Sequence, residues 1–326
     1  MGPEFQLIEA FVAAARASPR APAGPGDDAA LLARPRGETA VTVDAVVEDV
    51  HFRRPSSRLE DIGHKALAVN LSDLAAMGAS PRWALVALGV RRGFSLREAR
   101  ALGAGFGALA RKTGTALVGG NVTRAPGLSL TVTVGGEVTA GRALLRSGAR
   151  PGDVVWVSGT LGDARLGLAL LQRPAGPEAR RLRQAPRLAR TAVDRQRRPS
   201  ARLELGAALV GLASSCIDLS DGLVQDAGHV ARASRVAVHL ALDAVPCSDA
   251  LEVAVPDARE RVRQAAAGGE DYELLFTARP GRSAAVLRLA RRLRLPLTPI
   301  GEVRRGRGVH TRGAGPGGVG GFDHLA

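Results

Sequence analysis

Short, continuously apolar runs alternate along the chain with longer segments that have the features of helices. Residues 39–47, TAVTVDAVV, are β-branched and nearly continuously apolar, as in a strand buried inside a sheet. Residues 59–77 are predicted to form a helix, because Glu60 and Asp61 lie in its first turn and Gly78 follows its end. This order of strands and helices predicts an α/β fold.

The same reading predicts elements throughout the first half of the chain. Helices are expected at 4–17, 59–77 and 95–112. Strands are expected at 29–33, 39–47, 83–90, 115–119 and 128–138, with one long hairpin formed by the last two. Gly148, Pro151 and Gly152 then mark a turn. We place a domain boundary at this turn, which gives two mixed α/β domains at 1–145 and 146–326.

The second half begins afresh with a strand at 153–158 and a glycine-rich turn, SGTLGD, before the next helix. Residues 174–200 are rich in Arg and Pro and are expected to be helical in pieces. Further helices are predicted at 163–171, 221–233, 257–266 and 282–294, and further strands at 214–219, 236–241, 272–278 and 297–303. The glycine-rich residues 305–321 are expected to form a mobile tail.

Length and composition limit the class of protein. With 326 residues and 45% hydrophobic content, the chain is long enough for two domains with separate cores. No apolar stretch is long enough to span a bilayer, and no signal peptide is expected from the first residues. Cys216 and Cys247 form no CxxC pair, so a reducing, cytoplasmic location is the simplest interpretation.

The formal net charge of +14 raises the question of a nucleic-acid partner. Three observations argue against it. All basic residues except Lys65 and Lys112 are arginines, which in a chain this rich in Ala and Gly fits codon bias. Aromatic residues are only 3% of the chain, which leaves few platforms for stacking bases. The arginine runs lie on predicted helices, where a solvated face is expected (Arg180, Arg181, Arg183; Arg195, Arg197, Arg198; Arg288, Arg291, Arg292, Arg294). Small phosphorylated molecules fit the charge equally well.

The acidic residues gather in five segments beside apolar runs. Carboxylates next to buried strands are costly unless they are paired with cations. Such segments suit several hard cations that share oxygen ligands with substrate phosphates, although salt bridges to the arginines are the alternative for any single segment. For all five together we favour the metal. The acids are Asp27 and Asp28; Asp44, Glu48 and Asp49; Asp73; Asp218, Asp221 and Asp226; and Glu270, Asp271 and Glu273.

Three turns are candidates for ligand binding. In IDLSDGL, Ser220 is a predicted helix N-cap between Asp218 and Asp221. A helix N-terminus favours the binding of phosphate or metal phosphate, but an ordinary capped helix has the same sequence pattern. The turn SGTLGD could hold phosphate or merely cap its helix. Residues 116–127, ALVGGNVTRAPG, end a strand in two glycines and Asn121. His51 is the only histidine inside an acidic segment.

Together these segments resemble the thiamine-monophosphate kinase family, over nearly the whole chain. KALAVNLSDLAAMGA and GGEDYEL are specific to that family, whereas GDDAAL and LSDG are shared with the superfamily of aminoimidazole-ribonucleotide synthetase, selenophosphate synthetase and a hydrogenase-maturation factor. The matching segments, in order, are GDDAALL, VDAVVEDVHF, KALAVNLSDLAAMGASP, LVGGN-T, RSGARPGD, IDLSDGL, GGEDYELLF and GFDHL.

The resemblance implies a fold and a reaction. It implies two α/β domains, of which the N-terminal one binds ATP and Mg²⁺ and builds a β-barrel in a homodimer, with the ATP site in the cleft. The implied reaction is direct transfer of a phosphoryl group from ATP to thiamine monophosphate, assisted by several Mg²⁺ ions. Positioning and charge neutralisation would do most of the catalysis.

The resemblance also implies roles for individual residues. The implied Mg²⁺ site comprises Asp28, Thr42, Asp44, Asp73, Asn121, Asp218 and Asp221. The residues implied to face ATP are Gly120, Asn121, Arg146 and Ser220, and those implied to face thiamine monophosphate are His51, Glu270 and Val319.

The sequence departs from the family pattern at three positions. Val43 stands where the family usually has Thr, Asn121 where it has Asp, and Val319 where an aromatic residue often packs on thiamine. An amide ligates Mg²⁺ without bringing charge, so one ion should bind more weakly. A related enzyme for another small phosphorylated substrate, and a catalytically weakened relative, therefore stay open as alternatives. A basic nucleic-acid-binding protein is the alternative from a different class, which the net charge of +14 keeps open.

Overall fold

A computed structural model of the chain describes residues 3–15, 29–32 and 35–313. The chain divides into two compact units. Unit 1 comprises Met1–Leu74 and Ala79–Gly141, and unit 2 comprises Ala75–Gly78 and Arg142–Ala326. The main division therefore lies at Gly141, a few residues before the turn that the sequence marks.

Unit 1 is built on a four-stranded mixed sheet. Its elements are α1 (Pro3–Ala15), β1 (Glu38–Val47), α2 (Leu59–Ala76), β2 (Ser80–Val90), α3 (Leu96–Thr113), β3 (Ala116–Arg124) and β4 (Ser129–Val138). The last two residues of α2 belong to unit 2. The strand order is β1-β4-β2-β3, in which only β2 and β3 run parallel.

The predicted hairpin between the last two strands is wrong. β3 pairs with β2 in parallel, and β4 lies between β1 and β2. The reason is α3, which carries the chain from the end of β2 back to its start, so that β3 takes the place beside β2 in parallel. The strand predicted at 29–33 is also wrong for its described residues, 29–32, which form no strand: Leu31 alone makes a β-bridge, and Leu31 and Leu32 are exposed.

Helix α3 shows why unit 1 packs closely. Ser95 and Glu98 form a capping box at its start, and Gly114 ends it in the left-handed conformation. A Cβ atom at Gly105 would lie 1.8 Å from the Glu60 carbonyl oxygen, and one at Gly103 would lie 2.5 Å from that of Phe11. Both positions therefore require glycine, which lets α3 approach the backbones of α1 and α2.

Unit 2 contains a six-stranded sheet in the order β10-β7-β9-β5-β8-β6. Its strands are β5 (Val154–Ser158), β6 (Ser215–Asp218), β7 (Ala237–Ala241), β8 (Leu274–Ala278), β9 (Leu297–Arg304) and β10 (Gly308–Arg312). Its helices are α4 (Asp163–Gln172), α5 (Pro177–Arg181), α6 (Pro186–Arg197), α7 (Leu203–Leu209), α8 (Leu223–Ser234), α9 (Asp249–Ala254), α10 (Ala258–Ala267) and α11 (Ser283–Leu293).

Two hydrophobic cores cover the two faces of this sheet. Val155 and Val157 of β5 lie in one core with residues of α4, α6, α8, α9 and α10. Trp156, between them, lies in the other core with residues of α7 and α11. Neighbouring strand residues point to opposite faces, so helices cover both sides, as the nearly continuous apolar strands predict.

The expectation of a mobile tail is wrong for residues 308–312. They form β10, which pairs in parallel with β7, and Val309 packs on the core that contains Val155. Gly306 and Gly308 have φ angles of 127° and 83°, so the local glycine content reflects the turn before this strand. Residues 314–326 lie outside the described part of the chain.

Two further expectations concern the molecule as a whole. None of the described helices combines the length and apolar character needed to cross a membrane. Neither described sheet closes into a barrel, so the predicted barrel would require a second copy of the chain and stays a prediction.

Candidate functional site

Unit 1 brings three of the predicted metal ligands to one side of its sheet. The Thr42 hydroxyl donates a hydrogen bond of 2.6 Å to a carboxylate oxygen of Asp73 in α2. Thr42, Asp44 and the buried Val46 alternate along β1 and so share one face of the strand. This face offers a hydroxyl and carboxylates, which are the oxygen donors that hard divalent cations prefer.

His51 lies in the turn that follows β1. Its Nδ1 accepts a hydrogen bond of 3.1 Å from the backbone N–H of Val47, and the buried Lys65 donates to the His51 carbonyl at 3.2 Å. Asp49 in the same turn has a φ of 65°. Because Nδ1 is an acceptor, the neutral imidazole carries its proton on Nε2. The turn thus fixes both the orientation and the tautomer of this ring.

Asn121 faces the other side of the unit 1 sheet. Its register partner on β2 is Ala87, which aligns across the sheet with Thr131 and Ala45. Asp44 is adjacent to Ala45 on β1, so its side chain points to the face of the sheet opposite to that of Ala45 and Asn121. Three strand spacings of about 4.8 Å separate β1 from β3, or about 14 Å. A Mg²⁺ ion binds its oxygen ligands at about 2.1 Å, so two ligands of one ion lie only a few ångströms apart. Asp44 and Asn121 of the same chain therefore cannot bind the same ion.

The presence of glycine at position 120 has a steric explanation that does not involve a ligand. A Cβ atom at this position would lie 2.0 Å from the Val86 carbonyl oxygen on β2. No side chain fits without displacing the backbone of the neighbouring strand. Glycine is therefore required here by strand packing, whether or not its N–H group also approaches a phosphate.

In unit 2 the backbone joins two of the predicted segments. The N–H of Glu270 donates to the Ser220 carbonyl at 2.8 Å, and the N–H of Tyr272 donates to that of Leu219 at 2.9 Å. The N–H of Leu219 in turn donates to the Glu273 carbonyl at 2.8 Å. Residues predicted to face ATP and residues predicted to face the substrate therefore lie next to each other.

A second cluster surrounds Asp221. One oxygen each of Asp221 and Asp226 and one ring nitrogen of His229 lie within 4.8 Å of one another. Asp226 also accepts hydrogen bonds of 3.1 Å from the N–H groups of Asp221 and Gly222. Burial, followed by the charge of Asp221, raises the pKa of Asp226 to about 7, whereas the nearby Arg146 acts in the opposite direction.

The sequence placed Asp226 among the acidic residues favoured for metal binding, but the resemblance, which named Arg146 and Asp221, gave no role to Asp226 or His229. Asp226 and His229 are three residues apart in the first two turns of α8, so they share a helix face. That spacing, directly after IDLSDG, is the signal that could have included them.

The glycine-rich turn before α4 acts as a helix cap. Asp271 accepts hydrogen bonds from the backbone N–H groups of Gly162 at 2.7 Å and Ala164 at 3.3 Å. Desolvation raises the pKa of Asp271 to about 8, and the neighbouring Asp163 and Glu273 add to the effect that the two backbone hydrogen bonds oppose. Of the two interpretations of SGTLGD, the structure favours the cap, because a protein carboxyl group already takes these N–H groups.

The match to known proteins follows the same segments. Residues 26–138 match the AIR synthase related protein, N-terminal domain, and residues 150–313 match the AIR synthase related protein, C-terminal domain. The thiamine-monophosphate kinase of Salmonella typhimurium is 41% identical over 308 residues, covering 92% of this chain and 90% of that protein. The chain belongs to the thiamine-monophosphate kinase family. This confirms the resemblance inferred from the motifs.

Two solved structures of thiamine-monophosphate kinases support this membership. The enzyme from Stenotrophomonas maltophilia K279a superposes with a TM-score of 0.84 at 43% identity, covering 95% of this chain and 97% of that chain. A complex of AaThiL with AMPPCP and TMP gives a TM-score of 0.79 at 32% identity, covering 92% of this chain and 91% of that chain. The mixed α/β class predicted from the sequence is confirmed.

For this member of the thiamine-monophosphate kinase family, the implied residues separate by unit. Asp28 and Val319 lie outside the described residues. The remaining unit 1 residues are Thr42, Asp44, His51, Asp73, Gly120 and Asn121, and those of unit 2 are Arg146, Asp218, Ser220, Asp221 and Glu270. The structure joins Thr42 to Asp73, and Ser220 to Glu270. The ligand roles of these residues stay predictions.

Proposed function

We propose that the chain transfers the terminal phosphoryl group of ATP to the phosphate of thiamine monophosphate, giving ADP and thiamine diphosphate. The relatives support the reaction, since a 41% identical protein is a thiamine-monophosphate kinase and AaThiL is solved with AMPPCP and TMP. The observation on this chain that carries the proposal is the backbone bonding of Glu270 to Ser220, which joins the expected substrate and nucleotide segments.

The reaction needs little acid–base chemistry from the protein. A phosphate oxygen of thiamine monophosphate forms the new bond to the terminal phosphorus of ATP, and the bond from that phosphorus to the bridging oxygen breaks, releasing ADP. A phosphate monoester has a second pKa of about 6, so the attacking oxygen is already anionic at neutral pH. The protein's contribution is to align the two phosphates and to offset their repulsion.

The donor set of each unit fits Mg²⁺. Thr42 and Asp73 in unit 1, which are hydrogen-bonded, and Asp221 and Asp226 in unit 2 present the oxygen atoms that this ion prefers, and the resemblance adds Asp44 and Asp218. Bound Mg²⁺ would neutralise charge on the transferring phosphates. Asn121 would contribute a neutral carbonyl oxygen to an ion other than the one bound by Asp44, because the two side chains face opposite sides of the sheet.

The remaining residues have roles that match their charge. Arg146 carries the positive charge that suits a nucleotide phosphate, and this charge also acts against the rise in the pKa of Asp226. Gly120 and Ser220 would offer backbone or hydroxyl donors to ATP. The carboxylate of Glu270 suits the cationic thiazolium ring of thiamine better than its phosphate, and His51 offers Nε2–H to an acceptor. Val319 would contact the thiamine rings.

We also propose that the N-terminal domain, residues 1–145, forms a homodimer through the outer face of β1. Val41 and Val43 on this face are 59% and 57% exposed, which is unusual for neighbouring apolar residues of a sheet. β1 is also an edge strand among the strands that the structure describes, and a second copy could extend its sheet into a barrel. The free thiols of Cys216 and Cys247 support a cytoplasmic location.

The proposal is tested with purified protein, ATP, Mg²⁺ and thiamine monophosphate. We expect one thiamine diphosphate for each ADP, both quantified by chromatography, and no product when thiamine replaces its monophosphate. Absence of thiamine diphosphate with Mg²⁺, Mn²⁺ and Ca²⁺ alike would refute the assignment. A thermal-shift panel in which other phosphorylated compounds stabilise the protein, but thiamine monophosphate does not, would favour the related enzyme with another substrate.

A further inference from the structure

Two arginines of the arginine-rich segment 178–202 bind one buried carboxylate of unit 2. Glu273 is 0% exposed, and Arg195 donates to its Oε1 at 2.9 Å while Arg202 donates through Nε to its Oε2 at 2.7 Å. Arg202 also donates to Oε1 through Nη2. The expectation of a solvated face is therefore wrong for Arg195, and the salt-bridge alternative is right for Glu273. A buried carboxylate requires this pairing.

The same carboxylate is tied to the strand beside it. The Ser158 hydroxyl at the end of β5 donates to Glu273 Oε2 at 2.5 Å and accepts the Leu274 N–H at 2.9 Å. A Cβ atom at Gly159 would lie 2.2 Å from Glu273 Oε1. Glu273 thus anchors one end of the loop 268–273, which we call the GGEDYE loop.

The GGEDYE loop has an unusual backbone. Glu270 and Tyr272 have φ angles of 66° and 50°, in the left-handed region that residues other than glycine rarely adopt. Such conformations persist where the surroundings over-determine them. Here the constraints are Glu273 bound to two arginines, Asp271 bound at the start of α4, and the backbone bonds to residues 219 and 220.

Gln196 completes the arrangement by holding the side chain of Glu270. Its Nε2 donates to Glu270 Oε2 at 3.0 Å, and Gln196 is only 5% exposed. Its Cβ atom would lie 2.9 Å from a Cβ atom on Gly167, so α6 and α4 pack tightly around it. Burial and close packing therefore restrict the movement of the Gln196 side chain that holds Glu270.

The chemistry of residue 196 is notable within its segment. The run Arg195–Arg198 contains three arginines and one glutamine, and the neutral glutamine is the one that binds Glu270. An arginine here would neutralise the carboxylate. An amide donor orients one oxygen and leaves the negative charge for a cationic ligand.

We propose that Gln196 is a positioning residue that orients Glu270 toward the cationic ring of thiamine monophosphate. This inference rests on the proposed function and on the substrate-binding role of Glu270. It gives part of the arginine-rich segment a place in substrate recognition: Arg195 and Arg202 fix the loop, and Gln196 fixes the side chain.

Gln196→Met keeps the length of the side chain and removes its donor. We expect the KM for thiamine monophosphate to rise about five- to tenfold, with kcat and the KM for ATP changed less than twofold, as for loss of one ordinary intramolecular hydrogen bond. Gln196→His restores a donor and should return KM to within about twofold of the parent. Gln196→Glu places two carboxylates together and should raise KM more than the Met variant does.

The matched control is Gln264→Met. Gln264 donates to Glu260 at 2.9 Å within α10, which is the same kind of bond away from Glu270. Its KM values should equal those of the parent. Circular dichroism melting shows whether each variant is folded, and the His and Glu variants keep the test decisive if the Met variant is not.

The Glu270→Gln variant separates the two ways of failing. If it leaves the KM for thiamine monophosphate unchanged, Glu270 has no substrate role and both claims fall. If it raises that KM while Gln196→Met does not, only the positioning role is overturned. If both raise it, and Gln196→Met adds nothing in the Glu270→Gln background, the two residues act through one contact, as proposed.

Discussion

Replacing Glu273 with glutamine tests the ion cluster that anchors the GGEDYE loop. The change keeps the size of the side chain but removes its charge and turns one acceptor into a donor that faces an arginine. Removing one partner of a buried ion pair costs about 3–5 kcal/mol. The side chains of Arg195 and Arg202 retain 29% and 19% exposure, so water can recover part of the loss. We therefore expect the free energy of unfolding to fall by an amount near the lower end of that range, about 3 kcal/mol.

For a unit of this size, about 3 kcal/mol corresponds to a fall in Tm of about 6–12 °C. Thermal unfolding followed by circular dichroism, together with urea titration, measures it. Glu302→Gln is the control, because Glu302 pairs with Arg304 at 51% and 59% exposure, where an ion pair contributes about 0.5 kcal/mol or less. If the two variants melt within about 1 °C of each other, the buried cluster is not stabilising and the reasoning is refuted.

Three further perturbations test other parts of the molecule. The pKa of Asp271 is raised to about 8 in the folded chain, whereas in the unfolded chain this group releases its proton near pH 4. Between about pH 4 and pH 8 the folded chain therefore binds one more proton than the unfolded chain, and the free energy of unfolding falls as pH rises. Asp271→Asn should flatten that fall in urea unfolding at about pH 5 and pH 8, and an unchanged slope would contradict this. Thr42→Val removes the 2.6 Å hydrogen bond to Asp73 and should raise the Mg²⁺ concentration for half-maximal kinase activity about fivefold; an unchanged Mg²⁺ titration would place the ion elsewhere. Val43→Glu should convert the proposed dimer to a monomer in sedimentation velocity, since it charges the exposed face that holds Val41, whereas a dimer unaltered by this variant would exclude this face.

Local signals predicted most of the helices and strands. The helix predicted at 95–112 is α3, Leu96–Thr113, and the groups that end it, Ser95, Glu98 and Gly114, lie near it in sequence. The short helices α7 and α9 were missed, although Ser248 caps α9 by accepting the Leu251 N–H. Helices this short depend on packing more than on their own sequence.

Pairing between distant segments could not be read from the sequence. β10 is recognisable only through β7, which lies some seventy residues earlier, and its glycines resemble those of a tail. The order β1-β4-β2-β3 depends on how α3 returns the chain, so adjacency in sequence misled the hairpin prediction.

For the candidate site, too, the sequence predicted local features but not the contacts between distant segments. The motifs located its residue types, and the resemblance assigned their expected ligands. The hydrogen bonds that orient them join positions far apart in sequence: Thr42 and Asp73 differ by 31 in residue number, and Gln196 and Glu270 differ by 74. Arginines on a helix read as solvated because periodicity does not reveal a buried carboxylate on another element.

The left-handed residues of the GGEDYE loop affect when chain entropy is lost. Fixing one residue of a flexible loop costs about 1–2 kcal/mol, and a loop that orders around its ligand adds this cost to every binding event. Here Glu270 and Tyr272 reach their uncommon backbone conformations as unit 2 folds, since Glu273, Asp271 and residues 219–220 already constrain them. In the proposed substrate role of Glu270, thiamine monophosphate would therefore meet a carboxylate whose backbone was already ordered when unit 2 folded.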